Sequence, residues 1–250
     1  MKENLYQYIL RLADSELIIG HRMSEWCGHG PELEEDIALI NIALDHLGQC
    51  RSYYQYAAEI LDDGSDENTL AYHRNERDFA NFLLCEQDNG HYGTTIARSF
   101  YYDTYRLLFY QEMINSKDER LAAIAEKSLK EVKYHFRHSA EWVIRLGDGT
   151  EESHNKIQEA LNDLWTYTGE LFDVDDIDQS ALNDGIGADI KALQTPWLNK
   201  VKEVLEEATL TLPEGDYFQK GGKNGVHSEN LGYILAEMQY LARQHPTATW

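Results

Sequence analysis

Apolar residues recur along this chain at steps of three and four, separated by polar positions, so the dominant pattern is helical. Over about residues 3–24, Leu5, Ile9, Leu12, Glu16, Ile19 and Met23 share one face, and Glu16 is an acid inside an otherwise apolar stripe. A break at Gly28-His29-Gly30-Pro31 precedes a second helix, about 31–62. Pro31 suits a first turn, and Glu32, Glu34, Glu35 and Asp36 favour that end of the helix. Leu33, Ile37, Ile40, Leu44, Leu47, Tyr54, Ala58 and Leu61 form a heptad-like stripe with Arg51 as its single polar member, a pattern suited to a bundle. The third segment, about 67–115, reads as one long helix or two, loosened by Asn89-Gly90 and Gly93, with Phe79, Leu83, Glu86, Gly90, Ala97 and Phe100 on one face. The fourth, about 118–146, aligns Ile124, Ser128, Glu131, His135, His138 and Trp142 and stops at Gly147, a plausible C-cap.

Three further helical patterns follow, at about 151–171, 188–209 and 228–244, divided by loops from Asp173 to Gly187 and from Leu212 to Gly225. No strand alternation or internal repeat is visible. The expected fold class is all-α: an antiparallel four-helix core bundle over about residues 3–146, accessory helices over about 151–244 packed against it, and one domain spanning 1–250.

Charge narrows the choice of partner. The chain carries 44 acids against 22 Lys and Arg, a net charge of −22. That disfavours nucleic acid and anionic membrane surfaces, both of which need clustered cations, and leaves a basic protein partner or a solvated acidic surface. Cys27, Cys50 and Cys85 are far apart and odd in number, which argues against a disulfide framework or zinc site and for a reducing compartment. The N-terminal stretch has early acids and no apolar core of a signal peptide, and no run of about 18 apolar residues occurs. A cytoplasmic protein is expected.

Acids on helix faces that should be buried suggest a metal site within a bundle. A di-iron carboxylate bundle draws one Glu from each of two helices and Glu-x-x-His from each of the other two, the i, i+3 spacing setting both ligands on one face. Against that template, Glu16 and Glu86 supply the single acids. The second helix offers Asp45-His46-Leu47-Gly48, with glycine where the imidazole should stand. The fourth offers Glu131-Val132-Lys133-Tyr134, with tyrosine there and His135 one residue late, about 100° around the helix. Asp88 to His91 and Glu151 to His154 are the other acid-x-x-His spacings, one interrupted by Asn-Gly and one at a helix start. Glu16, Asp45, Glu86, Glu131, His135 and His138 are therefore read as a degenerate pseudo-site. They form a buried polar network, with His135, His138, Arg98 or Arg137 supplying positive charge, and no metal, catalytic or cofactor-binding residue is assigned.

Two other features carry chemistry. Lys220-Gly221-Gly222-Lys223-Asn224-Gly225 is a basic, Gly-rich loop before a helix, able in principle to hold a coenzyme A phosphate, although it lacks Walker spacing and a preceding strand. Tyr53, Tyr54, Tyr101, Tyr102 and Tyr105 are either a protein–protein surface or helix-packing residues. No nucleophile–base motif is present.

Longer motifs carry a resemblance. Gly20-His21-Arg22-Met23-Ser24-Glu25-Trp26-Cys27-Gly28-His29-Gly30-Pro31, then Leu33 to Leu39, Asn41 to Asp45 and Leu47-Gly48-Gln49 make a continuous match. With them go Glu86-Gln87, Asn89-Gly90, Lys130-Glu131-Val132, Tyr134-His135, Arg145 to Ser153, Leu231-Gly232 and Leu235 to Gln239. Across nearly its whole length the chain resembles the structural-subunit family of the ring-1,2-phenylacetyl-CoA epoxidases (phenylacetate-CoA oxygenases), within the ferritin-like superfamily. The resemblance implies an all-helical, non-catalytic structural subunit that pairs with a homologous catalytic subunit. That partner would hold the di-iron centre and epoxidise the aromatic ring with O2 and reductase-supplied electrons. A homodimer is possible when the chain is alone. The alternatives are an autonomous di-metal oxidase using His135 and His138, and a coenzyme A binding module.

Overall fold

The computed structural model describes residues 2–246 and 248, and among these the regular structure is entirely helical. Ten α-helices follow in order: α1 (Lys2–Ser24), α2 (Leu33–Leu61), α3 (Glu67–Tyr72), α4 (Leu83–Glu86), α5 (Tyr92–Met113), α6 (Glu119–Gly147), α7 (Glu151–Trp165), α8 (Asp176–Asp184), α9 (Gln194–Glu207) and α10 (Glu229–Gln244). The fold is all-α, as the periodicity predicts, and consistent with the ferritin-like bundle that the resemblance implies. Its chain divides into two compact units, residues 1–88 with 220–250 and residues 89–219.

The first unit is built on the antiparallel pair α1 and α2. Ile9, Ile18, Ile19 and Met23 of α1 are fully buried, and Glu16 lies among them as the stripe predicts. The stripe expected on α2 is only partly the core. Tyr54 and Ala58 are buried, but Leu33, Ile37 and Leu44 are exposed, and the packed face is Leu39, Ile42, Ala43, His46, Gln49, Cys50 and Tyr53. A helix with apolar residues on two sides offers two stripes to periodicity, and periodicity alone cannot say which one packs.

The third segment is not a long helix. α3 ends at Tyr72, a 3-10 turn occupies Glu76–Asp78, and α4 is a single turn. No proline breaks it; α1 does. The Asp14 carboxylate accepts the Ala80 amide at 2.8 Å, and the Ser15 hydroxyl accepts the Phe82 amide at 3.3 Å. Side chains from α1 thus satisfy backbone donors that a continuing helix would have satisfied internally. A left-handed Gly90, φ +53°, then separates α4 from α5.

The second unit is built on the antiparallel pair α5 and α6, with α7 and α9 packed on it. α5 is buried nearly throughout, from Thr95 to Tyr110. The buried face of α6 is Leu121, Ala125, Ser128, Val132, His135, Ser139 and Val143, turned slightly from the expected one, so that Glu131, His138 and Trp142 lie at its margin. The starts of α6 and α7 carry caps: Asp118 accepts the amides of Arg120 and Leu121 at 3.0 Å, and Thr150 and Ser153 cap α7 reciprocally. The acidic stretch after Asp173, expected as a loop, contains α8, started by the reciprocal pair Asp175 and Asp178 and closed by Gly185 at φ +74°. Tyr53, Tyr54, Tyr101, Tyr102 and Tyr105 are all at most 4% exposed, so they are packing residues and not a surface. Tyr101 meets Trp165 edge-on and Trp197 at a tilt, and Trp197 donates its indole N–H to the Tyr101 carbonyl at 3.0 Å.

Candidate functional site

In the first unit, three separate polar contacts hold the buried acids. Glu16 projects from α1 towards α2, where its Oε2 accepts from Nδ1 of His46 at 2.6 Å. Spacing points to Asp45 as the acid of this step, but Asp45 is half-buried and its neighbour His46, 2% exposed, is the residue that meets Glu16. On the same pair of helices, Asp14 collects the Tyr54 hydroxyl at 2.5 Å, the Ala80 amide and a two-pronged contact from the Arg74 guanidinium. Arg74 also lies over the Phe79 ring, 4.1 Å from its centre. Burial pushes the Tyr54 hydroxyl well up, and the Asp14 charge adds to it while Arg74 opposes it.

The third contact centres on Glu86, which is fully buried. Its Oε2 accepts from Asn81 Nδ2 and from His227 Nδ1, each at 2.9 Å, and its Oε1 accepts the Ser228 amide at 2.6 Å. The other ring nitrogen of His227 faces the Phe79 carbonyl at 2.9 Å. Both nitrogens therefore meet acceptors, so the ring carries both protons and the pair is an imidazolium on a carboxylate. Burial works to lower the His227 pKa, but the Glu86 hydrogen bond, the Glu86 charge and the Phe79 carbonyl outweigh it, and the net shift is upward. Arg22, from the end of α1, donates Nε and Nη2 to the Glu86 backbone carbonyl and spans to Asp88 and Glu25.

In the second unit one buried polar group is Asp103 with Arg106, His135 and Ser139. Arg106 Nη1 lies 3.4 Å from Asp103 Oδ1 and donates to Nδ1 of His135 at 3.2 Å. The Ser139 hydroxyl is 3.1 Å from Asp103 Oδ2. Burial raises the Asp103 carboxyl, against the pull of His135, Arg106, the Ser139 hydroxyl and His138. Glu131 and His138 are half-buried: Glu131 lies 3.8 Å from Lys127, and the His138 ring is 6.1 Å from that of Tyr134.

The structure thus places the six sequence candidates as follows. Glu16, Glu86 and His135 are buried, each hydrogen-bonded to a partner that spacing does not indicate. Asp45, Glu131 and His138 stand at the margins of their helices. Residues that sequence reasoning misses are Asp14, His46, Arg74, Asp103, Arg106 and His227. Only Asp103 and Arg106 have a local signal, a charged i, i+3 pair within an aromatic run. Of the other acid-x-x-His spacings, the one at the start of α7 is accounted for by structure: His154 Nδ1 donates to the Gly147 carbonyl at 2.7 Å. In the Gly-rich loop, Lys223 is buried at 7% exposure within a 3-10 turn, so it does not stand beside Lys220 as a surface pair.

An all-α chain of this kind, with acids buried inside paired long helices, belongs to a defined family: the family model described as phenylacetic acid catabolic protein matches residues 1–250, and the chain is a member of that family. It is 48% identical over 246 residues to the C subunit of 1,2-phenylacetyl-CoA epoxidase from Escherichia coli (strain K12), covering 98% of this chain and 99% of that relative. The motif resemblance from Gly20 to Gln239 points to the same family. No helix among the described residues is long and apolar enough to cross a membrane.

Proposed function

We propose that this chain is a structural, non-catalytic subunit of a phenylacetyl-CoA epoxidase, acting in the cytoplasm in aerobic phenylacetate breakdown and docking onto a homologous catalytic subunit that carries the di-iron centre. The family membership and the full-length 48% identity support the subunit assignment. The observation that carries the non-catalytic part is the bonding of Glu86. A metal-bridging carboxylate must keep lone pairs for the ions, whereas both Glu86 oxygens are occupied by three donors and the positive charge beside it is an imidazolium of this chain. Glu16 is likewise engaged by His46, and the Nδ1 lone pair of His135 points at a guanidinium. Carboxylates engaged in this way keep few lone pairs for metal ions, and this weighs against the autonomous oxidase that would use His135 and His138.

Metal analysis of the purified chain tests this directly. The expected result is less than one tenth of an iron or manganese per chain after expression in metal-supplemented medium, with thermal unfolding unchanged by a chelator. Two tightly held irons per chain, or ring oxidation by the chain without a partner, would overturn the reading.

A further inference from the structure

The α2 helix uses one of its two apolar faces and leaves the other in solvent. Opposite the packed residues Leu39, Ile42, His46 and Tyr53, the positions Leu33, Ile37, Ile40, Leu44, Leu47 and Arg51 repeat at alternating steps of four and three. At about 100° per residue these six fall within an arc of about 80°, centred well away from the buried arc. Leu33 is 72% exposed, Ile37 51% and Leu44 59%, with Ile40 and Leu47 half-buried beside them. Single exposed aliphatics are ordinary, but a row in one register is an unpartnered packing face. The alternating spacing is that of a helix seam, whose side chains need the holes of a second helix.

We propose that this face, from Leu33 to Arg51, is where the catalytic subunit docks, through a helix of its own that is apolar at the same spacing and carries Lys or Arg at its flanks. The proposal rests on the subunit reading above. Charge selects this occupant over a second copy of the chain. Asp36 and Glu34 flank the seam, Asp45 lies further round the helix, and the whole chain carries −22, so a second copy would bring acid against acid. A helix with basic flanks completes those pairs and is drawn in by the long-range field. The seam is about 27 Å long at 1.5 Å per residue, enough to form the apolar centre of an interface of standard size with the acids as its rim.

The test measures the dissociation constant of the purified chain for the catalytic subunit of the same epoxidase, at low and high salt. Leu44→Glu places a charge in the centre of the seam and weakens binding about 100-fold or more, and Leu33→Glu weakens it less, as an end position should. Both positions are exposed, so helix content and melting temperature stay as in the unaltered chain. Tyr240→Glu, on the exposed face of α10, leaves affinity within about threefold. Glu34→Gln slows association about twofold at low salt, and the difference disappears at about 0.5 M salt. If the unaltered chain fails to bind the catalytic subunit, the subunit reading itself falls. If it binds and Leu44→Glu binds equally well, only the docking face is wrong. If Leu44→Glu splits a homodimer and leaves the mixed complex intact, the occupant is a second copy and the proposal is overturned.

Discussion

Glu86→Gln alters one atom and removes one charge, and the structure says where the consequence appears. Glu86 accepts three hydrogen bonds, two on Oε2 and one on Oε1. Glutamine offers an acceptor on one side only. With its oxygen toward Ser228, its NH2 meets the donors of Asn81 and His227; reversed, its NH2 meets the Ser228 amide across a gap of 2.6 Å that needs an acceptor. Either way at least one buried charge-assisted bond is lost, about 2 kcal/mol, and one donor is left unpaired, about 1 kcal/mol more. The expected loss is about 3 kcal/mol, felt where the Lys220–Ser228 segment is pinned to α4.

The pH dependence has a definite sign. Relative to its ordinary value of 6.5, His227 is held upward in the folded state, because the gains from Glu86 and Phe79 exceed the cost of burial. A base with a raised folded pKa stabilises the fold fully below the unfolded value, and that contribution fades as pH rises through the folded pKa. The unaltered protein should therefore lose protection of this segment between about pH 6 and the upper end of the titration, and Glu86→Gln should abolish the slope. Hydrogen exchange of a peptide spanning residues 222–231 reads both effects, since the Ser228 amide is one of the bonds at stake. At about 1.4 kcal/mol per decade, exchange in the variant should be about 100-fold faster at pH 6. Equal exchange rates, or an unchanged pH slope in the variant, would refute the imidazolium–carboxylate assignment.

Other perturbations follow from the same geometry. Asp14→Ala strands the Arg74 guanidinium, the Tyr54 hydroxyl and the Ala80 amide together, and should cost about 3–5 kcal/mol in urea unfolding, whereas Tyr54→Phe removes one partner and should cost about 1 kcal/mol. Thr150→Ala removes the cap of α7 and should cost about 1 kcal/mol, a fall of about 2–4 °C in the melting temperature by calorimetry. Gly225→Ala sets a side chain at φ +73° with its Cβ driven against the Arg77 carbonyl, so the loop must move and thermal stability should fall by at least about 2 kcal/mol.

Sequence periodicity locates α1, α2, α6, α7, α9 and α10 because each carries a long apolar stripe with clear ends. It fails where tertiary groups take over the backbone. The stretch between Tyr72 and Leu83 has helical composition, and what unwinds it is Asp14 and Ser15 of α1, residues 66 and 67 positions away from the amides they capture. It fails on α8 for the opposite reason: acids that look like a loop are its capping pair. On α2 it favours the wrong stripe, since Leu33, Ile37 and Leu44 are as apolar and as regular as Leu39, Ile42 and Ala43. The candidate site is legible only as a set of misplaced acids. Their partners are not legible, because His227 lies 141 positions from Glu86 and Arg74 lies 60 from Asp14, and no local pattern links them.

On the proposed reading, those distant pairings are what lets this chain stand without a metal. Carboxylates buried together in an apolar bundle raise one another's energy unless a cation is present. In a metal-holding bundle the cations are bound ions, and the helices are held by a group that can be removed. Here Asp14 has Arg74, Glu86 has the His227 imidazolium, Glu16 has His46, and Asp103 has Arg106. Each of these four acids is matched by a base of the same chain and within the same unit. On the proposed reading, that internal matching is what frees α2 to present its second apolar face outward: the inward face is already closed by hydrogen bonds, so the helix stays rigid whether or not a partner is bound. A preformed, rigid seam costs little ordering on association, which is the property a scaffold subunit needs and a ligand-organised bundle would lack.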